Sequence, residues 1–594
     1  MQQLNLKHWS SIAVLIGVLA TLLYDRCWSP ISLFEHKSNV CRCVPGDACW
    51  PSPQQWADFN STIKGRLIAS TPIGAPCHQP QYNSTKCEEI RGDINSPTSV
   101  MSAFFQNAGN NPCDPFEESE IQCHVNEHVQ MAVNISSVDE VHASLDFARE
   151  HNVRIVIKNT GHEYMGKSAP ARGTLSLWTH HLSSSEVIPN YQSQNHNGSA
   201  IRLGAGIMGS DAVRVAHENG LRIVAGFCPS VGIAGGYIQG GGHGPLSSSY
   251  GMAADQALEW EVVTADGRHI IASPTEHTEL YWALGGGGGG VFAFVISVIV
   301  RAFPDEVPVG GASMVISRQD QANDDAYWAS FAAWQEELPA LLDCGATAGY
   351  AILKDAFFVH PITIEGIQTA AEMETLLAPL KSRLDDMHIR YTLQVSSEAN
   401  FYNHYRKYQG PLPWGAYPVG QLFGGRLIPR VELDERPHSL LATVRRITED
   451  THAFLGFVAL NVNQTQKGIT PVQPVANNAV LPAWRHAALT VLAQSAWNYS
   501  TPRADGLSRA EEMTRVVGPA LKRHAGVGPA VGSYMNEADF QLEDWQVEFY
   551  GAHWDILSGV KYRWDPEGLF WAPLGVGSEK WRLEKGGRLC KVVG

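Results

Sequence analysis

An α+β fold is predicted for this 594-residue chain, and two observations carry the prediction. From about residue 126, short β-branched runs alternate with short helical patterns. From about 306 to 525, longer helical patterns stand between strands.

The elements follow in order. Within residues 1–25, Lys7 and His8 precede an apolar run from Ile12 to Leu23. Such a run is short for a bilayer span and suits a signal peptide, with a signal anchor as the alternative. Residues 26–125 form a Cys-rich segment, with Cys41, Cys43, Cys49, Cys77, Cys87, Cys113 and Cys123 clustered in it. Their spacings fit no zinc ribbon, so disulfides of undetermined pairing are expected. Sequons at Asn60, Asn83, Asn134, Asn197, Asn463 and Asn498 agree with a secreted chain. A net charge of −15 without basic patches excludes a nucleic-acid partner. No stable membrane association is expected unless the leader is an uncleaved anchor, and no metal site is predicted.

Residues 126–305 open as strand, helix, strand: MAVNI, then SSVDEVHASLDFAREHN, then VRIVIKN. Ser136 or Ser137 caps the helix, and Val141, Leu145, Phe147 and Ala148 form its apolar side. Next come AIRLGAG, a helix SDAVRVAHENG, a strand LRIVAG and a hairpin turning at Asp266-Gly267. The run Val291 to Val300 reads as a buried strand. Residues 306–525 carry the helices DDAYWASFAAWQEELPALL and AAEMETLLAPLKSRLDDM between the strands MVIS, YAILKDAFFV and YTLQV. This second unit is expected to present a substrate surface. Residues 526–594 form a C-terminal segment.

Three glycine motifs bear on chemistry. The octapeptide GHEYMGKS at 161–168 satisfies the phosphate-loop pattern, which works only where a helix follows at once. Pro170 and Gly173 oppose that helix, Thr174 to Trp178 alternates like a strand, and no Walker B strand follows, so a triphosphatase is the weakest reading. The motif G-x-G-x-x-G at Gly204–Gly209 lacks the acidic residue that a Rossmann site needs after the next strand, and is read as a tight turn. The third stretch, Ala225 to Gly244, has eight glycines in twenty residues. Interleaved with Val, Ile and Tyr, it is predicted to wrap a flat polar ligand rather than to act as a linker. Cys228 lies within it, away from the N-terminal cluster. It is either a buried structural residue or a covalent attachment point.

Together these residues resemble the berberine bridge enzyme-like branch of vanillyl alcohol oxidase-type (PCMH-type) FAD-linked oxidoreductases, over most of the chain from about residue 40. The resemblance implies a two-subdomain FAD-binding domain at 126–305 and a substrate-binding domain with an antiparallel sheet at 306–525. It also implies a C-terminal segment, 526–594, that returns to the flavin. GHEYMGKS then resembles the flavin-attachment loop, with His162 bonded to the flavin 8α-methyl and Tyr164 as an active-site tyrosine. GFCP at 226–229 resembles the second attachment site, with Cys228 bonded to flavin C6. Further cofactor contacts implied are Asn159, Thr160, Gly161, Gly166, Val231, Gly232, Gly235, Gly236, Gly240, Gly241, Gly242, Gly244, Tyr250, Asp255 and Tyr550, with the Gly285–Gly290 run resembling another. NEAD at Asn536–Asp539 departs from the N-Y-x-D common in plant members and places a carboxylate where they have a phenol. Gly551-Ala552-His553-Trp554 likewise departs from their G-x-N-Y.

Hydride transfer to flavin needs a base for the hydroxyl or amine proton. Glu537 is the first candidate, since burial strengthens a carboxylate's hold on a proton, and Tyr164 is the second. The reading is a secreted oxidoreductase that oxidises an alcohol, carbohydrate or specialised metabolite with dioxygen as acceptor. Oxidase, dehydrogenase and oxidative cyclase are not separable at this stage, and a catalytically silent flavin-fold binding protein is the alternative of a different class.

Overall fold

The computed structural model describes residues 41–592 apart from 70–71, 94–112, 114, 124–130, 169–171, 414, 416–420, 464–471, 497–502 and 585. The expected leader at 1–25 and the sequon at Asn498 lie outside the described residues.

The first sheet is four-stranded, in the order Leu67–Ala69, Met131–Asn134, Thr174–Trp178, Arg154–Lys158. Its last three strands run parallel. The crossover is the helix Val138–Glu150, whose N-cap is Ser137. The Glu140 carboxylate turns back to accept from the Ser136 and Ser137 amides at 2.6 and 3.2 Å, closing the first turn as a capping residue does. The buried side of this helix, Val141, Leu145, Phe147 and Ala148, packs with Val133 and Ile155 of the sheet.

A five-stranded antiparallel sheet follows, in the order Ser185–Gln192, Asn197–Gly204, Phe294–Arg301, Ala257–Val263, His269–Ala272. Its hairpin turns at Gly267, whose φ of +86° suits glycine. The third large sheet is seven-stranded and antiparallel, in the order Thr392–Glu398, Val309–Ser317, Ala356–Glu365, Thr347–Ile352, Phe454–Ala459, Ala487–Ala496, Gln421–Pro429. The helix Asp324–Asp343 packs on it, with Trp328, Phe331 and Trp334 buried in the same core as Phe357 and Phe457. This is the α+β architecture expected, with the antiparallel sheet in the second unit.

The chain's end comes back to its beginning. Leu569 and Phe570 join the core of the four-stranded sheet, and Cys590 is bonded to Cys41. Three further disulfides are local: Cys43–Cys49, Cys77–Cys87 and Cys113–Cys123. Disulfides were expected, but the partner of Cys41 is not in the Cys-rich cluster.

Four elements differ from their expected extent. LRIVAG pairs only through Leu221–Arg222, because Ile223 to Gly226 leaves the sheet to enter the glycine-rich loop. YAILKDAFFV is a hairpin of two strands, Thr347–Ile352 and Ala356–Glu365. AAEMETLLAPLKSRLDDM divides into Ala370–Leu376 and Ala378–Asp386, since Pro379 has no amide to continue the first helix and is tolerated in the first turn of the second. The Val291–Val300 strand begins at Phe294, after the turn that leaves the glycine run.

Candidate functional site

Where the strand Arg154–Lys158 ends, the chain opens into GHEYMGKS, and among 161–168 no residue is helical. The strand Thr174–Trp178 follows. Three of the amides that a phosphate loop would offer to a nucleotide are already occupied. The Glu163 carboxylate accepts from the amides of Met165 at 2.9 Å, Lys167 at 2.6 Å and Ser168 at 3.4 Å. The second motif, at 204–209, is the tight turn expected: a Cβ on Gly206 would lie 2.2 Å from Thr179 O.

Facing GHEYMGKS across a cavity of about 220 Å³ is the loop that contains Cys228, Val231, Gly232, Gly235 and Gly236. A void of this size is far larger than the few water-sized gaps of a packed interior, so it is a site and not a packing defect. Its floor is apolar, with Ile155, Ile157, Ala293 and Val295, and its sides carry Phe570, Trp571, Tyr534 and Glu537 from the C-terminal segment. Two backbone runs approach closely because they lack side chains: a Cβ on Gly289 would meet Gly236 Cα at 2.9 Å. The wall is also keyed to Asn159, since a Cβ on Gly232 would fall 2.3 Å from its Oδ1. Thr160 Oγ1 accepts from the Gly232 amide at 3.0 Å. A flat heteroaromatic ring with a polar tail fits such a slot, with apolar residues beneath and backbone groups along its edge.

His162 and Cys228 both line this cavity, as do Asn159, Thr160, Gly161, Tyr164, Val231, Gly232, Gly235, Gly236 and Glu537. His162 Nε2 lies 3.0 Å from Ser230 Oγ. Burial pushes its imidazole down to about 3, with Ser230 pulling the other way, so the ring is neutral at physiological pH. Burial pushes the Cys228 thiol up to about 12, and the Glu537 carboxylate adds to the rise. Cys228 is in none of the four disulfides. The Tyr164 ring packs on Phe423 of the seven-stranded sheet, with centroids 4.1 Å apart.

The other expected contacts are not brought to the cavity. Asp255 is fully buried and chelated by Arg485 at 2.6 and 2.7 Å, with Asn478 donating at 2.7 Å. Tyr250 packs its ring, tilted, against Phe303 and donates to Glu365 at 3.2 Å. Tyr550 is buried behind the glycine run and reaches Leu574 O at 3.4 Å. Gly240, Gly241, Gly242 and Gly244 form the back of their loop, where a Cβ on Gly244 would strike Ala225 O at 1.9 Å. Gly166 supplies the turn of GHEYMGKS at φ +83° and is not in the cavity wall.

Residues the sequence reading passed over are present. Both carboxylate oxygens of Glu537 lie 3.2 Å from His243 Nε2, and that ring sits among Phe227, Trp484 and Tyr534. In its Nε2–H tautomer His243 donates to the Glu537 carboxylate. Asn536 Nδ2 donates to Gly236 O at 2.9 Å, tying the C-terminal segment to the glycine loop. Lys167, whose ammonium donates to Met535 O at 2.5 Å, ties it to GHEYMGKS.

Comparison with known proteins agrees with this geometry. Residues 129–273 match a family described as FAD binding domain, and residues 533–577 match one described as berberine and berberine like. The chain is 40% identical to the FAD-linked oxidoreductase patO of Aspergillus clavatus, over 94% of this chain and 96% of that one. It is 38% identical to a VAO-type flavoprotein oxidase of Thermothelomyces thermophilus, over 94% and 96% of the two chains. The crystal structure of a VAO-type flavoprotein from Myceliophthora thermophila superposes with a TM-score of 0.86 at 37% identity, covering 93% of this chain and 100% of that one. Berberine bridge enzyme from Eschscholzia californica shares the fold, with a TM-score of 0.63 at 16% identity over 87% and 99%. The chain therefore belongs to the VAO-type, berberine bridge enzyme-like family of FAD-linked oxidoreductases, and binds FAD and a small-molecule substrate.

Proposed function

We propose that this chain is a secreted oxidase that holds FAD covalently through His162 and Cys228 and oxidises an alcohol, carbohydrate or specialised metabolite, with dioxygen as acceptor. The observation that carries the reading is that His162 and Cys228, 66 positions apart in sequence, line one cavity with Glu537. The bound flavin supplies the redox chemistry by accepting hydride. Glu537 takes the substrate's proton, and His243 holds the carboxylate in place. Tyr164, backed by Phe423, forms the substrate-side wall. The remaining cavity-lining glycines and Asn159, Thr160 and Gly161 hold the cofactor. The units at 126–305, 306–525 and 526–594 then divide the work between cofactor, substrate and closure of the site.

Covalent attachment would exchange a His162 N–H or Cys228 S–H and a flavin C–H for one N–C or S–C bond, with dioxygen taking up the two electrons and two protons. A relative named as a flavoprotein oxidase supports dioxygen as acceptor. Four disulfides support the secretory pathway, and among the described residues no helix is long and apolar enough to cross a membrane.

Acid precipitation tests the central claim. Yellow colour is expected to stay in the pellet, to persist in part in His162→Ala and in Cys228→Ala, and to vanish in the double variant. A colourless pellet from flavin-replete protein refutes covalent attachment. Peroxide release during turnover, in a screen of alcohols and oligosaccharides, separates oxidase from dehydrogenase.

A further inference from the structure

GHEYMGKS has the backbone of an anion-binding nest but supplies its own anion. The Glu163 carboxylate gathers three donors, the amides of Met165, Lys167 and Ser168, within 2.6–3.4 Å. Gly166 makes this fold-back feasible, because the loop turns there at φ +83°. The Lys167 ammonium points the other way, to Met535 O beside Asn536 and Glu537. Glu163 is flanked in sequence by the residues whose directions matter most: His162, set against Ser230, and Tyr164, set against Phe423. With its carboxylate fixed, the backbone on both sides is fixed.

We propose that Glu163 is the positioning residue of the flavin-attachment loop, its carboxylate standing where a bound phosphate would stand in a nucleotide loop and so aiming His162 into the cavity. The proposal rests on the reading of His162 as an attachment residue. Both oxygens of the carboxylate are used as acceptors, one by the Met165 amide and the other by the Lys167 and Ser168 amides. A glutamine keeps the length and one acceptor, and turns an N–H₂ toward amides that are themselves donors. An alanine removes the anion altogether. Misdirecting a reacting group by about 1 Å slows bond formation on the order of 100-fold, which is the scale expected for alanine.

The test uses the full chain in a Cys228→Ala background, so that His162 is the sole attachment point, and compares Glu163→Ala and Glu163→Gln with that parent. Two quantities are read per polypeptide: total flavin, and flavin that survives acid precipitation. Both variants are expected to retain total flavin while most of it becomes extractable, with glutamine between alanine and parent. Acid-stable flavin at the parental level in both variants overturns the proposal. Parallel loss of total and acid-stable flavin in both also overturns it, because the carboxylate would then serve the fold and not the aim of His162. Should Glu163→Ala not fold, Glu163→Gln decides alone by the same readings. A parent without acid-stable flavin refutes attachment at His162 itself, and the proposal with it; a normal parent with normal variants refutes only the role of Glu163.

Discussion

Replacing Lys561 by methionine removes a buried ammonium that braces the cavity from behind. The ammonium donates to Val291 O, Phe570 O and Asp565 Oδ2, each at 2.6 Å. Lys561 is 5% exposed and Asp565 2%. Burial lowers the lysine's proton affinity and Asp565 opposes the fall. Methionine preserves the stem but takes the ion-pair partner from the buried Asp565 carboxylate, which keeps the Leu569 and Phe570 amides, at 2.8 and 2.9 Å, and the attraction of Arg42. Removing one member of a buried pair destabilises by about 3–5 kcal/mol. Adding Asp565→Asn removes the stranded charge while keeping an acceptor for one amide. What remains is the loss of two bonds to carbonyls and of the second amide's acceptor, about 1 kcal/mol each. The double variant is therefore expected to be more stable than Lys561→Met alone. The assay is the apparent midpoint of urea unfolding at matched flavin content, since bound cofactor shifts it. A double variant no more stable than the single one refutes the argument, because the loss would then come from packing and not from an uncompensated charge. Because Phe570 lines the cavity, Lys561→Met is also expected to be isolated with a lower flavin-to-protein ratio.

Glu537→Gln is expected to slow flavin reduction by about 10²–10⁴-fold, with KM little changed; full-rate reduction would remove the carboxylate from the role of base. His243→Phe fills the same aromatic box without a donor, and a smaller fall in kcat, in the same direction and absent from the Glu537→Gln background, is expected if the ring acts through Glu537. Gly235→Ala places a Cβ 2.6 Å from Asn159 Nδ2, whose amide is already bonded to Ala205 O. A destabilisation of about 1–3 kcal/mol and a lower flavin-to-protein ratio are expected, and an unchanged ratio would show that Asn159 yields.

Local signals made several parts of this structure legible. The helix Val138–Glu150 announced itself through Ser136 and Ser137 as candidate caps, and the hairpin through Asp266-Gly267, because caps and turns are decided by residues a few positions apart. The strand Thr174–Trp178, where a phosphate loop would continue as a helix, was readable from Pro170, Gly173 and the alternation that follows them, for the same reason. Pairings between distant residues left no such mark. Cys41 and Cys590 are separated by 549 positions, and His243 and Glu537 by 294. Asp255, Tyr250 and Tyr550 stand as cofactor contacts on the family resemblance alone, and a loop has two faces. The face a side chain takes depends on partners such as Arg485 and Glu365, which sequence proximity does not reveal. Glu163 was passed over for the opposite reason. It occupies a variable position of the phosphate-loop pattern, and the pattern drew attention to Lys167 and Ser168.

The two attachment residues differ in a way that separates their chemistry by pH. A neutral imidazole has a lone pair to offer, and with His162 pushed down to about 3 the neutral fraction is already complete at pH 6. Raising the pH further adds nothing. The thiol of Cys228 is pushed up to about 12, so its reactive thiolate is a small fraction throughout this range and grows about tenfold per pH unit. From pH 6 to pH 8, acid-stable flavin is therefore expected to form at a nearly constant rate in Cys228→Ala, where only His162 can bond. In His162→Ala, where only Cys228 can, it is expected to form about a hundredfold faster at the higher pH. Both rates are measured by adding FAD to flavin-free protein and precipitating samples over time. A flat profile for Cys228 would mean that a neighbouring base removes the thiol proton within the site. A rising profile for His162 would mean that the imidazole is not as deeply desolvated as its surroundings imply. Either result would contradict the proton inventory of the cavity while leaving the family assignment untouched, because that assignment rests on the fold and on relatives spanning nearly the whole chain.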